Sequence, residues 1–197
     1  MLVTNPAILG GGGDLVTYFD GVNDYVELPV QPHGTQDFSF SIQFYIPSGF
    51  NSTGSIPCLM NMSSSAFNRV IIYKSGTNLQ GRFLSGLTVR NYALSTEIED
   101  AWRELVVTLD GTQATAQLDG GTLYTAATTG SLNTSDNFFI GSQTNSANFW
   151  ECYVRRVAIG TIASPEIALF DDTTWVNKGT GSDGIINGAT AVLDPAA

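Results

Sequence analysis

The run Phe38-Ser39-Phe40-Ser41-Ile42-Gln43-Phe44-Tyr45-Ile46 alternates apolar and polar residues. A period of two puts Phe38, Phe40, Ile42, Phe44 and Ile46 on one face and Ser39, Ser41 and Gln43 on the other. Wound as a helix, the same five apolar side chains would spread round the axis. The segment is therefore predicted as a strand. Comparable signals cover 69–73, 79–84, 87–94, 102–109, 113–118, 122–127 and 138–140. Strands recurring at about ten residues are the pattern of an all-β sandwich or barrel.

The connections carry turn chemistry. Asp110-Gly111 and Asp119-Gly120 accept positive φ and predict hairpins, so 105–127 should form a three-stranded meander. From Phe149 to Ile159 the alternation breaks, with Val154 and Val157 three apart around Arg155 and Arg156. This predicts a bulge or a strand twisting at a sheet edge. Ser164, Pro165 and Glu166 match a helix start, and a short helix is expected at 165–170. Trp175 to Ala197 is expected to be loop with one added strand. At the other end, Gly10 to Gly13 forms a flexible joint after a charge-free segment bearing Leu2, Val3, Ile8 and Leu9. Residues 1–13 read either as a loose terminus or as an arm that docks on a neighbouring subunit.

These residues together resemble the laminin-G-like, concanavalin A-like lectin and glucanase jelly-roll family. The resemblance rests on Phe19-Asp20-Gly21 with Asp24-Tyr25-Val26, the strand 38–46, and Trp102 leading into Asp110-Gly111. It continues through Asp119-Gly120, Ile140-Gly141, the strand Tyr153 to Ile159 and the segment Ser164 to Leu169. It implies an antiparallel jelly-roll β-sandwich of two curved sheets over 14–170, between the arm 1–13 and an extension 171–197. The family often carries an acidic pair where Arg155 and Arg156 stand here, so contacts made by those acids do not transfer.

The composition narrows the function. A formal charge of -10 argues against a general nucleic-acid binder. No segment has the length of an apolar membrane span. Met1 to Pro6 lacks the cationic start of a secretory signal, which leads to the expectation of a chain made in the cytoplasm. Cys58 and Cys152 are read as separate buried thiols, and a single histidine, His33, leaves a zinc site short of ligands.

Glycosidases of the wider superfamily place carboxylates at alternate positions of one strand, about 5–5.5 Å apart when they retain configuration. Glu97, Glu99 and Asp100 come nearest, but they stand in a polar connection, and the chain is read as non-catalytic. From Phe38 through Thr96 there is no acid, while Arg69, Lys74, Arg82 and Arg90 give +4 and leave -14 for the remainder. Strand alternation groups Arg69 with Tyr73, Gln80 with Arg82, and Arg90 with Tyr92. Guanidinium forks and tyrosine rings on one sheet face would suit a saccharide. The plainer reading is an ordinary exposed sheet or a subunit contact. No cofactor is expected except, through the resemblance, a calcium ion held by Asp20 and Asp24; such residues otherwise satisfy turn amides.

The resulting expectation is a non-catalytic bacteriophage virion protein, made in the host cytoplasm. It would be a head-decoration, fibre or receptor-binding subunit. Its partners would be further copies of itself or other virion proteins, and a cell-surface glycan. The alternatives are a free extracellular carbohydrate-binding lectin module and, last, a degenerate glycoside hydrolase.

Overall fold

The Phe38–Tyr45 strand lies near the middle of an antiparallel sheet, and its five predicted inward residues are all buried. The computed structural model describes residues 14–28, 38–50, 52–54, 57–65, 68–75, 78–85, 88–95, 98–110, 113–127, 138–144, 147–166, 168–170, 175–179 and 181–196. At 63–65, 68–70, 78, 83–85, 88–95, 126–127 and 168–169 it describes the backbone alone. The arm 1–13, His33, Glu97 and Gly111 lie outside the described residues.

Within these limits the chain is all β. The strands are β1 Leu15–Asp20, β2 Tyr25–Leu28, β3 Phe38–Tyr45, β4 Cys58–Ser65, β5 Asn68–Ser75, β6 Asn78–Ser85 and β7 Thr88–Ser95. They continue as β8 Trp102–Leu109, β9 Gln113–Leu118, β10 Tyr124–Ala127, β11 Phe138–Ile140 and β12 Glu151–Gly160. The last three are β13 Ala168–Phe170, β14 Ile185–Asn187 and β15 Thr190–Leu193. An eight-stranded sheet runs β10-β9-β8-β3-β12-β1-β15, with β13 also on β12. A seven-stranded sheet runs β14-β2-β11-β4-β5-β6-β7. Phe40, Ile42 and Phe44 meet Leu28, Met60, Ile72, Phe138 and Ile140 in one core cluster between the layers. This is the predicted antiparallel jelly-roll sandwich.

Local chemistry explains several joints. The meander β8-β9-β10 forms as expected, and Asp119 and Gly120 take φ of 51° and 66° at its second turn. Both positive values match the right-handed twist of the flanking strands. Gly141 ends β11 with φ 81°, and a Cβ there would stand 2.5 Å from the Phe19 ring, so only glycine fits. The predicted bulge is present: Val154 faces Phe44 and Arg156 faces Gln43, which leaves Arg155 as the inserted residue. The edge half of that expectation is corrected, because β12 pairs with β3 on one side and with β1 and β13 on the other.

The helix expected at 165–170 is absent. Thr161 and Ser164 exchange backbone hydrogen bonds in a tight turn, and Ala168–Phe170 pairs with Val157–Ile159. Six residues cannot repay helix nucleation, whereas strand pairing satisfies the same backbone groups and buries Phe170. The C-terminal extension supplies two strands where one was expected. It also sends Trp175 into the core, where its ring stands 6.3 Å from both Phe19 and Phe170 and its Nε1 donates to Thr17 Oγ1 at 2.9 Å. Both cysteines are buried thiols not joined to each other, as read from the sequence.

Candidate binding site

Four neighbouring strands of the eight-stranded sheet each present one aromatic residue at the same level. The register pairs Tyr18 with Tyr153, Tyr153 with Tyr45, and Tyr45 with Trp102. Successive ring centroids are 4.8, 5.8 and 5.9 Å apart, with interplanar angles of 39°, 80° and 52°. All four side chains are half-buried. They stand out of phase with the buried neighbours Phe19, Phe44, Cys152 and Val154, so the row lies on the face away from the core. Cross-strand aromatic contacts of this kind contribute about 0.5–1.5 kcal/mol each beyond area burial.

Hydrogen bonds hold the row in place. Tyr18 Oη donates to Glu151 Oε1 at 2.9 Å, and Tyr45 Oη donates to Asp100 Oδ1 at 3.3 Å. Burial first, then the neighbouring carboxylates, pushes the Tyr18, Tyr45 and Tyr153 phenols above their ordinary value. All three are therefore neutral donors at physiological pH. At the far end Asp194, which follows β15, accepts from Trp102 Nε1 and from the Ala196 amide, each at 2.9 Å, and pairs with Arg155. The Arg155 guanidinium carbon lies 3.9 Å from the Trp102 ring centroid. The bulge is what frees Arg155 for this contact.

The same contact describes the shape of the face. β8 and β15 are four places apart in the strand order, roughly 19 Å on a flat sheet at 4.8 Å per step. A tryptophan and an aspartate cannot bridge that span, so the face curls inward around the row. Burial raises the Asp194 pKa, but the bonds from Arg155, the Ala196 amide and Trp102 outweigh it and hold the carboxyl below its ordinary value. The other arginine of the pair, Arg156, meets Glu166. Both cations of the pair thus find acids from later in the chain.

The face predicted from the Arg and Tyr pattern is only partly described. β5, β6 and β7 are neighbours, as that reading required. Arg82 Nη2 donates to Tyr73 Oη at 3.4 Å, Tyr73 Oη donates to Gln80 Oε1 at 2.8 Å, and the Arg82 guanidinium lies 5.2 Å from the Tyr73 ring. Tyr73 is 4% exposed and clusters with Cys58 and Ile71, so its ring is a packed residue and not an open platform. The backbone sets Arg69 opposite Leu84, in phase with Tyr73, Gln80 and Arg82, but sets Arg90 opposite Phe83 and Tyr92 opposite Gly81, one position out of phase with them. The register therefore divides the five positions that were expected to share one face. The side chains of Arg69, Arg90 and Tyr92 lie outside the described residues.

The acidic candidates serve the backbone. Asp20 Oδ1 accepts from the Val22 and Asn23 amides at 2.8 and 3.3 Å, and Asp24 Oδ2 accepts from the Asp20 amide at 3.0 Å. Burial is the main cause that raises the Asp24 carboxyl. Among the described residues no three Asp, Glu, His or Cys side chains group as a metal site. Two carboxylates engaged by turn amides are a poor fit to a dedicated calcium cage. Asp100 accepts from the Ser48 amide at 2.8 Å, which is the main cause holding it below the ordinary carboxylate value, and Glu99 meets Lys74 at 3.5 Å. Both are exposed.

Comparison with known proteins agrees with this architecture. A family model described as the concanavalin A-like lectin/glucanases superfamily, laminin G type, matches residues 20–168. No curated protein sequence matches the chain significantly. Among solved structures, domains LG4-5 of the mouse laminin α1 chain superpose with a TM-score of 0.57 at 16% identity, covering 76% of this chain and 42% of that one. A candidate carbohydrate binding protein from Bacteroides ovatus ATCC 8483 gives 0.66 at 12%, covering 94% and 61%. The LG1-3 region of the laminin α2 chain gives 0.60 at 13%, covering 94% and 36%. The chain spans less than two thirds of each of these structures.

Proposed function

Because the chain belongs to the laminin-G-type family of the concanavalin A-like lectin/glucanases superfamily, we propose that it is a non-catalytic display domain that binds neutral saccharides through the row Tyr18-Tyr153-Tyr45-Trp102. The row itself carries the reading. A pyranose offers an apolar C–H face and a rim of hydroxyls, so it needs half-exposed rings beside fixed polar groups. The row supplies the rings, and Glu151 and Asp100, already oriented by tyrosine hydroxyls, supply acceptors. Charge selects the class of sugar. Asp20 and Glu151 are paired in register one step from the row, and Arg155 is committed to Asp194, so a sulfated or carboxylated glycan would meet repulsion.

We assign the display to a bacteriophage virion. The apolar, charge-free segment before Gly10 to Gly13 supports attachment to the particle or to sister subunits, and the low-lysine surface rich in Ser, Thr and Asn supports an outward position. The exposed acids of the 98–100 connection pair with Lys74 and the Ser48 amide, which supports a role without turnover.

A glycan array tests the site. Neutral glycans should bind, and Tyr153→Ala should weaken binding by up to about tenfold, the equivalent of roughly 1.4 kcal/mol. Circular dichroism should be unchanged. Preferential binding of sulfated glycans, or a Tyr153→Ala variant with wild-type affinity, would remove the row as the site. Deleting residues 1–13 should abolish incorporation into particles while the sandwich still folds; incorporation without them would refute the virion assignment. Hydrolysis of any glycan that disappears with Glu97→Gln would overturn the non-catalytic reading.

A further inference from the structure

Both sheets end in the same short stretch of chain. β14 is the last strand of the seven-stranded sheet and β15 of the eight-stranded sheet, and only Gly188 and Ala189 separate them. Two residues cannot carry the chain far, so the two edges lie one above the other on one side of the sandwich. Gly188 seats the turn: at φ 81°, a Cβ there would stand 1.9 Å from Asp24 Oδ1.

That side has the composition of a contact surface. Ile185 is 62% exposed, Ile186 36% and Leu193 62%; Leu15, opposite Leu193 in the register, is 50% exposed. From Gly184 through Leu193 there is no charged residue, in a chain of net charge -10. Sheet edges are ordinarily guarded by a lysine, a proline or a bulge, because an open row of N–H and C=O groups templates another strand. β15 reads Thr-Ala-Val-Leu, and its register with β1 is regular. Among the described residues no strand pairs with its outer edge. The acid that follows, Asp194, is turned inward onto Arg155 and Trp102 and leaves the edge unguarded.

We propose that this side is the interface with a second copy of the chain, β15 meeting its counterpart antiparallel across a two-fold axis. A two-fold contact must be self-complementary, and a short uncharged strand ending in Leu193, with Leu15 opposite it on β1, satisfies that condition. Glu27, opposite Ile185, and Asp14, whose carbonyl accepts from the Asp194 amide, stand one strand in from the edge. β14 and β15 themselves carry no charge, and two copies of an acidic protein repel least where such strands meet. The Leu15 and Leu193 pairs of the two copies would cover one another, while the aromatic row on the sheet face stays open. The inference is independent of the saccharide reading.

Sedimentation velocity of the full chain over a concentration series is the test. The wild type should show a reversible monomer–dimer equilibrium. Leu193→Lys should raise the dimer Kd at least about tenfold, the equivalent of 1.4 kcal/mol, with an unchanged thermal midpoint at a concentration where both proteins are monomeric, because that side chain is exposed. Leu123→Lys, on an equally exposed leucine beside β10 at the opposite end of the sheet, should leave the equilibrium unchanged. A chain lacking residues 1–13 should still dimerise. A wild type that is monomeric throughout, or a dimer lost with residues 1–13 and retained by Leu193→Lys, would overturn the proposal.

Discussion

Replacing Asp194 should reveal how far the end of the chain holds the candidate site together. Its side chain is 1% exposed and accepts three bonds, from Arg155, from Trp102 Nε1 and from the Ala196 amide. Arg155 is 36% exposed and can rehydrate, so the full 3–5 kcal/mol for breaking a buried pair is an upper bound. A charge-assisted bond contributes about 1.5–3 kcal/mol net and a neutral one about 1. Asp194→Ala should therefore cost about 3 kcal/mol and lower the melting temperature by about 6–12 °C in a chain of this size. Urea denaturation followed by tryptophan fluorescence measures the first figure and calorimetry the second.

Asp194→Asn supplies the pH test. The folded carboxyl lies below its ordinary value of 3.8, so its ionised form stabilises the fold. That contribution is fully present above the unfolded pKa and is lost as pH falls through the folded value. The stability gap between wild type and Asp194→Asn should hold from neutral pH to about pH 5, then close below about pH 4. In a double-mutant cycle, Asp194→Ala with Arg155→Met should cost less than the sum of the single changes. A loss under about 0.5 kcal/mol, the ordinary size of a surface substitution, would refute the clamp. So would a gap that stays constant into acid.

Three further outcomes follow from the packing. Trp175→Ala should cost about 3–5 kcal/mol in urea melts, and Trp175→Phe about 1–3 because Thr17 Oγ1 loses its buried donor. Gly141→Ala combines a positive φ with a clash on Phe19 and should cost roughly 2–4 kcal/mol; a variant with wild-type stability would refute the close approach. Burial pushes the Cys152 thiol well above its ordinary value and Cys58 is fully buried, so neither should react with a thiol reagent in the native protein, and both should react in urea.

The strands with strict alternation were legible because burial of one face imposes a period of two on any sequence. Phe38 to Ile46 needed no partner to be identified, and the three-residue step from Val154 to Val157 announced the bulge for the same reason. Asp119-Gly120 was legible because few residues tolerate two successive positive φ values. Ser164-Pro165-Glu166 misled because a helix start is a local preference, and pairing of Ala168–Phe170 with Val157–Ile159 outweighed it.

The aromatic row was half legible. Tyr45 stands at a polar-phase position of the clearest strand, and Tyr153 stands between Cys152 and Val154, which both face inward. An aromatic out of phase with the core is a signal available to sequence reading. That four of them form one row depends on the order β1-β12-β3-β8, two of whose three steps join residues more than a hundred positions apart. Local alternation decides which face a side chain occupies, because each strand responds to the core on its own. Strand order, the inward curl and the reach of Asp194 to Trp102 are decided only when the whole chain closes, since each is a contact between segments that share no local signal.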